Sequence, residues 1–193
     1  MGTLGRRFIP MAPPLVRDLG TGLVAGAIGG LLAAATLMTL ATSTLVRGPG
    51  YPFQVLATFM VGDAAMRDGN LPAILLGFFF LMTVPVLVWS LVFGLCVTLF
   101  EVRRGWGLAV ASLLVAVVAQ VVNNELVAPA WLVGLYGHDL WAELVPPSWS
   151  WIAHLAWGLG LNTFTWAYQA LWGARPRNWA RRRRTDPFDP LGA

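Results

Sequence analysis

The chain has 193 residues, of which 57% are hydrophobic and only 11% are charged, and its mean hydropathy is +0.66. A soluble domain carries about 25% charged residues, so this composition excludes an ordinary soluble domain and indicates a protein of the lipid bilayer. The net charge is +4 and all thirteen basic residues are Arg. Most of them flank apolar runs, as topology signals do, so no nucleic-acid binding is expected. The single cysteine, Cys96, permits no intramolecular disulfide.

Four apolar segments are each long enough to cross a bilayer, which takes about 20 residues. In chain order they predict spans at about 19–46, 71–100, 105–128 and 148–173. The chain then divides into an N-terminal segment (1–18), a membrane domain (19–174) and an Arg-rich tail (175–193). The predicted fold class is all-α, a bundle of four transmembrane helices.

The arginines predict the orientation of these spans. Eleven of the thirteen fall on one side of the membrane: Arg6, Arg7, Arg17, Arg103, Arg104, Arg175, Arg177 and Arg181 to Arg184. Only Arg47 and Arg67 fall on the other side. Because cytoplasmic loops carry the excess of basic residues, both termini are expected in the cytoplasm. The use of Arg alone, with abundant Ala, Gly, Leu and Val, favours a bacterial source and the inner (plasma) membrane.

Small residues line two adjacent faces of the first segment. One face repeats every fourth residue: Gly22, Gly26, Gly30 and Ala34. The second face lies beside it: Ala25, Gly29 and Ala33. Lipid tails are as apolar as leucine, so helices in a bilayer associate through close contact of small residues and through hydrogen bonds. The first segment is therefore predicted to be a tightly packed central helix.

The second segment contains Pro85, which is expected to kink its helix. Two apolar stretches in the outer loops, 51–66 and 130–144, are too short to cross. We expect short helices there that lie on the outer surface or are tucked over the mouth of the bundle. Each half of the chain then consists of a span, an outer loop and a second span, which suggests a 2+2 parallel repeat.

The fourth segment carries polar or small residues at helical spacing: His154, Gly158, Asn162, Thr165 and Gln169. On a continuous helix they would lie along one face. The third segment adds Gln120 and Asn123, and the fourth contains no Asp, Glu, Lys or Arg between residues 144 and 174. The length of this polar stripe nearly equals the depth of the membrane, which favours a packing seam or a permeation path over a local catalytic site. The seam is favoured because the other three spans carry matching small or polar faces.

A second set of candidates groups near the outer boundary: Glu125, His138, Asp139 and Glu143. A pair formed by Glu125 and His154 has three interpretations, which are a hydrogen-bonded contact that fixes helix register, a proton or ion site, and a metal site. No His-x₃-His or similar ligand spacing is present, so no metal is predicted.

No cofactor is predicted either. Haem needs two axial side chains that face each other, and His154 is the one histidine within a segment, so haem or quinone binding is the least favoured alternative. The chain has no nucleotide-binding loop, nucleophile elbow or HExxH motif, and no enzymatic activity is expected.

Three stretches resemble a known family: the Gly-rich run from Gly22 to Gly30 with Met38, the opening Gly105-Trp106-Gly107, and the run from His154 to Gly160. They resemble small four-span bacterial inner-membrane proteins of the YagU type. The resemblance covers three segments and implies a location and a helix count. It supplies no set of catalytic residues.

These features predict a non-enzymatic integral membrane protein, either an accessory subunit or an assembly factor of a larger membrane complex. Its expected partners are the lipid bilayer and other membrane subunits, or further copies of the chain. The alternative is a small transporter or channel for protons or a small solute, which would use the polar stripe.

Overall fold

The structure is a computed structural model that describes residues 13–45 and 47–173. Over these residues the chain is helical and contains no strand, which confirms the all-α class. The described part contains nine α-helices: α1 (Pro14–Thr44), α2 (Tyr51–Val61), α3 (Leu71–Leu81), α4 (Leu87–Leu99), α5 (Gly105–Val121), α6 (Ala128–Tyr136), α7 (Leu140–Leu144), α8 (Pro147–Leu161) and α9 (Phe164–Trp172). The predicted tail 175–193, with its arginines, and Arg6 and Arg7 lie outside the described residues.

Two pairs of these helices are joined without a loop. The π-helical turn Met82–Val86 joins α3 to α4, and the π-helical turn Val122–Val127 joins α5 to α6. Three helices in the described residues are therefore long and apolar enough to cross a membrane: α1, Leu71–Leu99 and Gly105–Tyr136. The helix Gly105–Tyr136 extends beyond its predicted end near residue 128. Its last part is α6, at a position where the sequence predicts a separate short helix.

Pro85 accounts for the first π-helical turn. Proline has no N–H group, and its ring clashes with the carbonyl one turn earlier in a regular α-helix. A π-helical turn widens the backbone by one residue and so makes room for the ring. The disruption expected at Pro85 thus takes this form, and the helix continues on both sides of it.

The fourth apolar segment is two helices, because Asn162 and Thr163 interrupt it. The Thr163 hydroxyl donates to the Gly160 carbonyl at 2.7 Å, and the Asn162 amide donates to the Gly158 carbonyl at 3.2 Å. Short polar side chains compete in this way for helical carbonyls, and the Thr163 N–H also bonds to the Gly160 carbonyl in a tighter turn. Neither α8 nor α9 alone has the length of a span, so a fourth crossing and the 2+2 repeat remain proposals.

The helices form four columns that close into a ring: α1, α3–α4, α5–α6 and α8–α9. Helix α1 packs along α4 on one side and along α8 and α9 on the other. Helix α5 packs on α8 and α4, so it lies diagonally opposite α1. Helix α1 runs antiparallel to α4 and to α8, and α5 runs antiparallel to α8, which follows from their paired contacts.

Small residues allow α1 to approach α4 closely. A Cβ atom added to Gly22 would lie 2.7 Å from the Ser90 carbonyl oxygen, and one added to Gly30 would lie 2.9 Å from the Val86 side chain. Gly26 faces the Ser90 side chain directly. The atom added at Gly22 meets the backbone of α4 and would force the two helices apart, whereas the atoms added at Gly26 and Gly30 meet side chains that would have to move.

A second small face of α1 packs against α8. A Cβ atom added to Gly29 would lie 2.6 Å from the Trp157 carbonyl oxygen, and one added to Gly160 would lie 2.8 Å from the Gly29 nitrogen. The Trp157 indole also donates to the Gly26 carbonyl at 3.2 Å. Ala34, the last of the predicted packing residues, is buried against Phe53 of α2.

A buried ion pair ties the columns together at the end of the bundle where α1 begins. Arg103, in the connection between α4 and α5, holds the Asp18 carboxylate at 2.6 Å, and the Thr98 hydroxyl donates to the same carboxylate at 3.0 Å. Asp18 is fully buried and Arg103 is 4% exposed. The Thr165 hydroxyl of α9 donates to the Arg103 carbonyl at 3.0 Å. Arg103 therefore pairs with a buried carboxylate. The sequence placed it only among the eleven arginines that predict the orientation of the spans.

The helices of the outer loops are packed into the protein. Helix α2 lies against α3, and residues along its length are buried, including Val55 and Thr58. The Tyr51 hydroxyl donates to the Leu144 carbonyl of α7 at 3.1 Å, and the Trp131 indole of α6 donates to the Phe59 carbonyl at 2.8 Å. Of the two expected placements, the structure has the one in which these helices are tucked over the bundle.

The closest contact between α1 and α8 predicts that Gly160→Ala lowers the thermal unfolding temperature of the purified protein in detergent. The added methyl group overlaps the Gly29 backbone, and overpacking of this kind costs about 1–3 kcal/mol. The matched control is Gly134→Ala in α6, where nothing lies within 4 Å of the added atom. Equal unfolding temperatures for the two variants would contradict the close contact.

The buried ion pair predicts a large loss of stability for Asp18→Asn. Removal of one partner leaves the other charge buried, which costs about 3–5 kcal/mol. The double variant Asp18→Leu/Arg103→Met should regain much of the loss because it leaves no uncompensated charge. Asp68→Asn, at an exposed position, is the control. Thermal unfolding in detergent measures all three, and an Asp18→Asn variant as stable as the control would refute the role of the pair.

Candidate functional site

A pocket of about 440 Å³ lies within the ring, at the end of the bundle that α2 and α7 cover. Its volume falls in the range of about 300–1,000 Å³ that is usual for small-molecule sites. Side chains from all four columns and from the two outer helices line it, among them Leu37, Phe59, Phe80, Ala119, Trp141 and Trp157. The site is thus built where the bundle meets the outer loops.

The lining of the pocket is mostly apolar and carries no charge. Its described lining residues include no Asp, Glu, Lys or Arg, and they include four tryptophans: Trp89, Trp131, Trp141 and Trp157. Three of the four indole N–H groups donate to protein oxygens, so those rings are held in fixed positions. A buried charge without a partner is very costly, so this lining suits a neutral and largely apolar molecule.

One wall of the pocket contains a hydrogen-bonded chain of polar side chains. The Trp89 indole donates to Asn123 Oδ1 at 3.1 Å, and Asn123 Nδ2 lies 3.5 Å from His154 Nε2. His154 Nδ1 lies 2.9 Å from the Ser150 carbonyl oxygen. These hydrogen-bonded groups therefore connect three columns, from α4 through the π-helical turn Val122–Val127 to α8. We call it the polar chain, and it comprises Trp89, Asn123, His154, Ser150, Gln120 and Asn124.

The last three members of the polar chain bind one another beside the pocket. The Ser150 hydroxyl donates to Gln120 Oε1 at 2.7 Å, and Asn124 Nδ2 donates to the same oxygen at 2.9 Å. Gln120 and Ser150 are buried, and Asn124 is half-buried. These bonds stabilise the helix that carries His154 against the helix that carries Asn123, since polar contacts between helices stabilise packing in a bilayer.

The polar chain determines the protonation of His154. A carbonyl oxygen only accepts hydrogen bonds, so the contact with Ser150 places the proton on Nδ1. Asn123 Nδ2 is a donor, so Nε2 is the acceptor. These contacts favour a neutral ring, whose Nε2 lone pair lies at the wall of the pocket.

The pocket opens between the helices Leu71–Leu99 and Gly105–Tyr136. Its lining residues Val84 and Val88 on the first helix, and Val127 and Trp131 on the second, are each about half exposed on the surface. Both π-helical turns lie at this mouth. The surface around it is apolar, and it lies between two of the three helices that are long and apolar enough to cross a membrane.

The structure divides the predicted polar stripe among different surroundings. His154 lines the pocket together with Asn123, and Gln120 supports them. The four remaining members lie outside the pocket lining: Gly158, Asn162, Thr165 and Gln169. Gly158 packs against Ala116 of α5. Asn162 and Gln169 are exposed.

The outer ionisable residues lie apart from the pocket. His138 bridges two carboxylates, with Nδ1 at 3.1 Å from Glu143 and Nε2 at 3.7 Å from Asp63. Asp139 caps α7 by accepting from the Ala142 N–H at 3.1 Å. These contacts join the two outer loops at an exposed position.

The hypothetical pair of Glu125 and His154 is not formed. Glu125 is exposed on the π-helical turn, whereas His154 bonds to Asn123 and Ser150. Within the described ranges, no group of three or more His, Cys, Asp or Glu is placed to hold a metal ion. His154 instead makes a hydrogen-bonded contact between helices with Asn123, and one within its own helix with Ser150.

The sequence pattern missed Trp89 and Ser150 as members of the polar chain. Trp89 lies in the middle of an apolar segment, where an indole N–H group away from water requires a hydrogen-bond partner. This requirement could have identified Trp89 from the sequence. Ser150 precedes His154 by one helical turn, and its role depends on Gln120 of another helix, which the sequence does not place next to it.

Comparison of the chain with protein-family models, with curated proteins and with solved structures found no match. The resemblance to YagU-type proteins therefore stays a prediction.

The polar chain predicts the tautomer of His154. In a His138→Gln variant, which leaves His154 as the one histidine, ¹⁵N NMR at neutral pH should show a neutral ring with the proton on Nδ1. Asn123→Leu removes the donor to Nε2 and should shift the Nε2 resonance, while Asn162→Leu should leave it unchanged. A ring protonated on Nε2 would be incompatible with this arrangement.

Proposed function

We propose that this protein is a non-enzymatic integral membrane protein that binds an apolar small molecule in the pocket between its helices. The observation that carries the proposal is the pocket of about 440 Å³, which combines an uncharged apolar lining with one polar wall. Small-molecule sites usually have this composition, in which apolar surface supplies affinity and a few polar groups set orientation.

The mouth of the pocket favours a ligand that arrives from the bilayer. Val84 and Val88 border the mouth on one side and Val127 on the other, and all three are half exposed. A molecule dissolved in the hydrocarbon would enter between the two helices without crossing water. An apolar ligand loses little solvation on this route, since both environments lack water.

We further propose a bacterial inner-membrane location with four crossings, of which α8 and α9 together form the fourth, and with both termini in the cytoplasm. The packing of α8 and α9 along α1 supports this, because α1 is itself long enough to span. Asp18, Arg103 and Thr165 meet at one end of the bundle, and the positive-inside rule supports a cytoplasmic location for that end.

In this proposal the protein acts as a ligand-binding accessory subunit, alone or beside other membrane subunits or copies of itself. A permeation path along the polar stripe is less favoured. Asn162 and Gln169 are exposed, and Thr165 is engaged with the Arg103 carbonyl, so these side chains do not continue the polar wall of the pocket.

Filling the pocket should abolish binding. The probe is 11-bromo-1-undecanol, because a bromine atom quenches nearby tryptophan fluorescence and four tryptophans line the pocket. In detergent the wild-type protein should show a saturable component of quenching, which Ala153→Leu and Ala119→Leu each remove. Both alanines are buried in the pocket lining.

The control for this experiment is Ala130→Leu, which adds the same bulk at an exposed position outside the lining. It should quench as the wild type does. Thermal unfolding checks that each variant is folded. Saturable quenching that persists in both folded, pocket-filled variants would eliminate the proposed function.

A further inference from the structure

We infer that the ligand of the pocket carries a neutral hydroxyl group, an alcohol or a phenol, which binds between Asn123 and His154. This inference rests on the proposed function and names the chemical class of the molecule. The observation behind it is the gap of 3.5 Å between Asn123 Nδ2 and His154 Nε2 in the wall of the pocket.

The gap leaves a donor and an acceptor side by side. Hydrogen bonds between nitrogen atoms and their partners are usually about 2.7–3.2 Å long, so the contact at 3.5 Å uses little of the bonding capacity of either group. Asn123 Nδ2 has two N–H groups, and its Oδ1 is occupied by the Trp89 indole. His154 Nε2 has a free lone pair because its proton is on Nδ1.

A hydroxyl group satisfies both atoms at once. Its oxygen accepts an N–H from Asn123, and its hydrogen is donated to His154 Nε2. A carbonyl or ether oxygen accepts from Asn123 but leaves the histidine lone pair without a donor. A carboxylate or phosphate would place a net charge in a lining that has no cation among its described residues.

The rest of the pocket determines the shape of the ligand. The polar wall is formed by a few side chains of α4, α8 and the turn Val122–Val127, and the remaining lining is apolar. A hydroxyl held at that wall leaves the body of the molecule among the tryptophan and aliphatic side chains. A longer tail leaves through the mouth at Val84 and Val88. Long-chain alcohols and phenols with apolar substituents share this chemistry.

The test compares three probes in the tryptophan-quenching titration: 11-bromo-1-undecanol, its methyl ether, and 11-bromoundecanoic acid at neutral pH. The alcohol should bind the wild-type protein roughly threefold to tenfold more tightly than the ether, which corresponds to one net hydrogen bond. The acid should bind more weakly than either. A brominated phenol with an alkyl chain separates the two sources of hydroxyl group, since whichever binds more tightly identifies the preferred one.

Two variants locate the hydroxyl. Asn123→Leu and His154→Phe should each reduce the preference for the alcohol over the ether to about one, while the ether itself still binds. Asn162→Leu is the matched control, since Asn162 bonds to its own helix outside the pocket, and it should keep the full preference. Thermal unfolding shows which variants are folded. A folded protein for either Asn123→Leu or His154→Phe is sufficient for the test.

The outcomes separate this inference from the proposed function. Equal affinity of the wild-type protein for the alcohol and the ether, with both lost in Ala153→Leu, would overturn the hydroxyl assignment and keep the pocket as a binding site. Tighter binding of the acid would also overturn it. If no probe shows saturable quenching that the pocket-filling variants remove, the proposed function fails and this inference fails with it.

Discussion

The close contact of α1 with two neighbours is the constraint on which the rest of the structure depends. In a bilayer, apolar side chains gain nothing by leaving lipid for protein, so helices stay together only where their backbones approach closely or exchange hydrogen bonds. Gly22 and Gly26 permit this against α4, and Gly29 permits it against α8. With α4 and α8 both fixed to α1, the fourth column completes the ring, and the space left between the columns near α2 and α7 becomes the pocket.

The pocket lies where helical regularity is interrupted. Pro85 produces a π-helical turn on one side of the mouth, and Val122–Val127 forms another on the opposite side. Such turns are frequent at functional sites because the extra residue reorients the side chains around it. In this protein the second turn carries Asn123, which reaches both Trp89 and His154. The polar wall and the mouth therefore result from the same irregularities.

Sequence reasoning predicted the features that depend on local pattern. The all-α class, the small faces of α1 and the disruption at Pro85 each follow from composition or spacing within a single segment. It failed at local competition for backbone hydrogen bonds in the fourth segment and at contacts between helices. The five polar positions from His154 to Gln169 have perfect helical spacing, but Asn162 and Thr163 bond to their own backbone and divide the segment. The sequence suggested Glu125 as the partner of His154. The structure has Asn123 there instead, because the π-helical turn Val122–Val127 changes which side chains face inward.

The ion pair of Asp18 and Arg103 has a consequence for biogenesis. Its two residues are 85 positions apart in the chain, so α1 leaves the ribosome with a carboxylate whose cation has yet to be synthesised. An acidic side chain is costly inside a membrane until it is paired. The buried position of Asp18 is therefore stable only once Arg103 has been synthesised. Packing at this end of the bundle is thus completed only after the connection between α4 and α5 has been made.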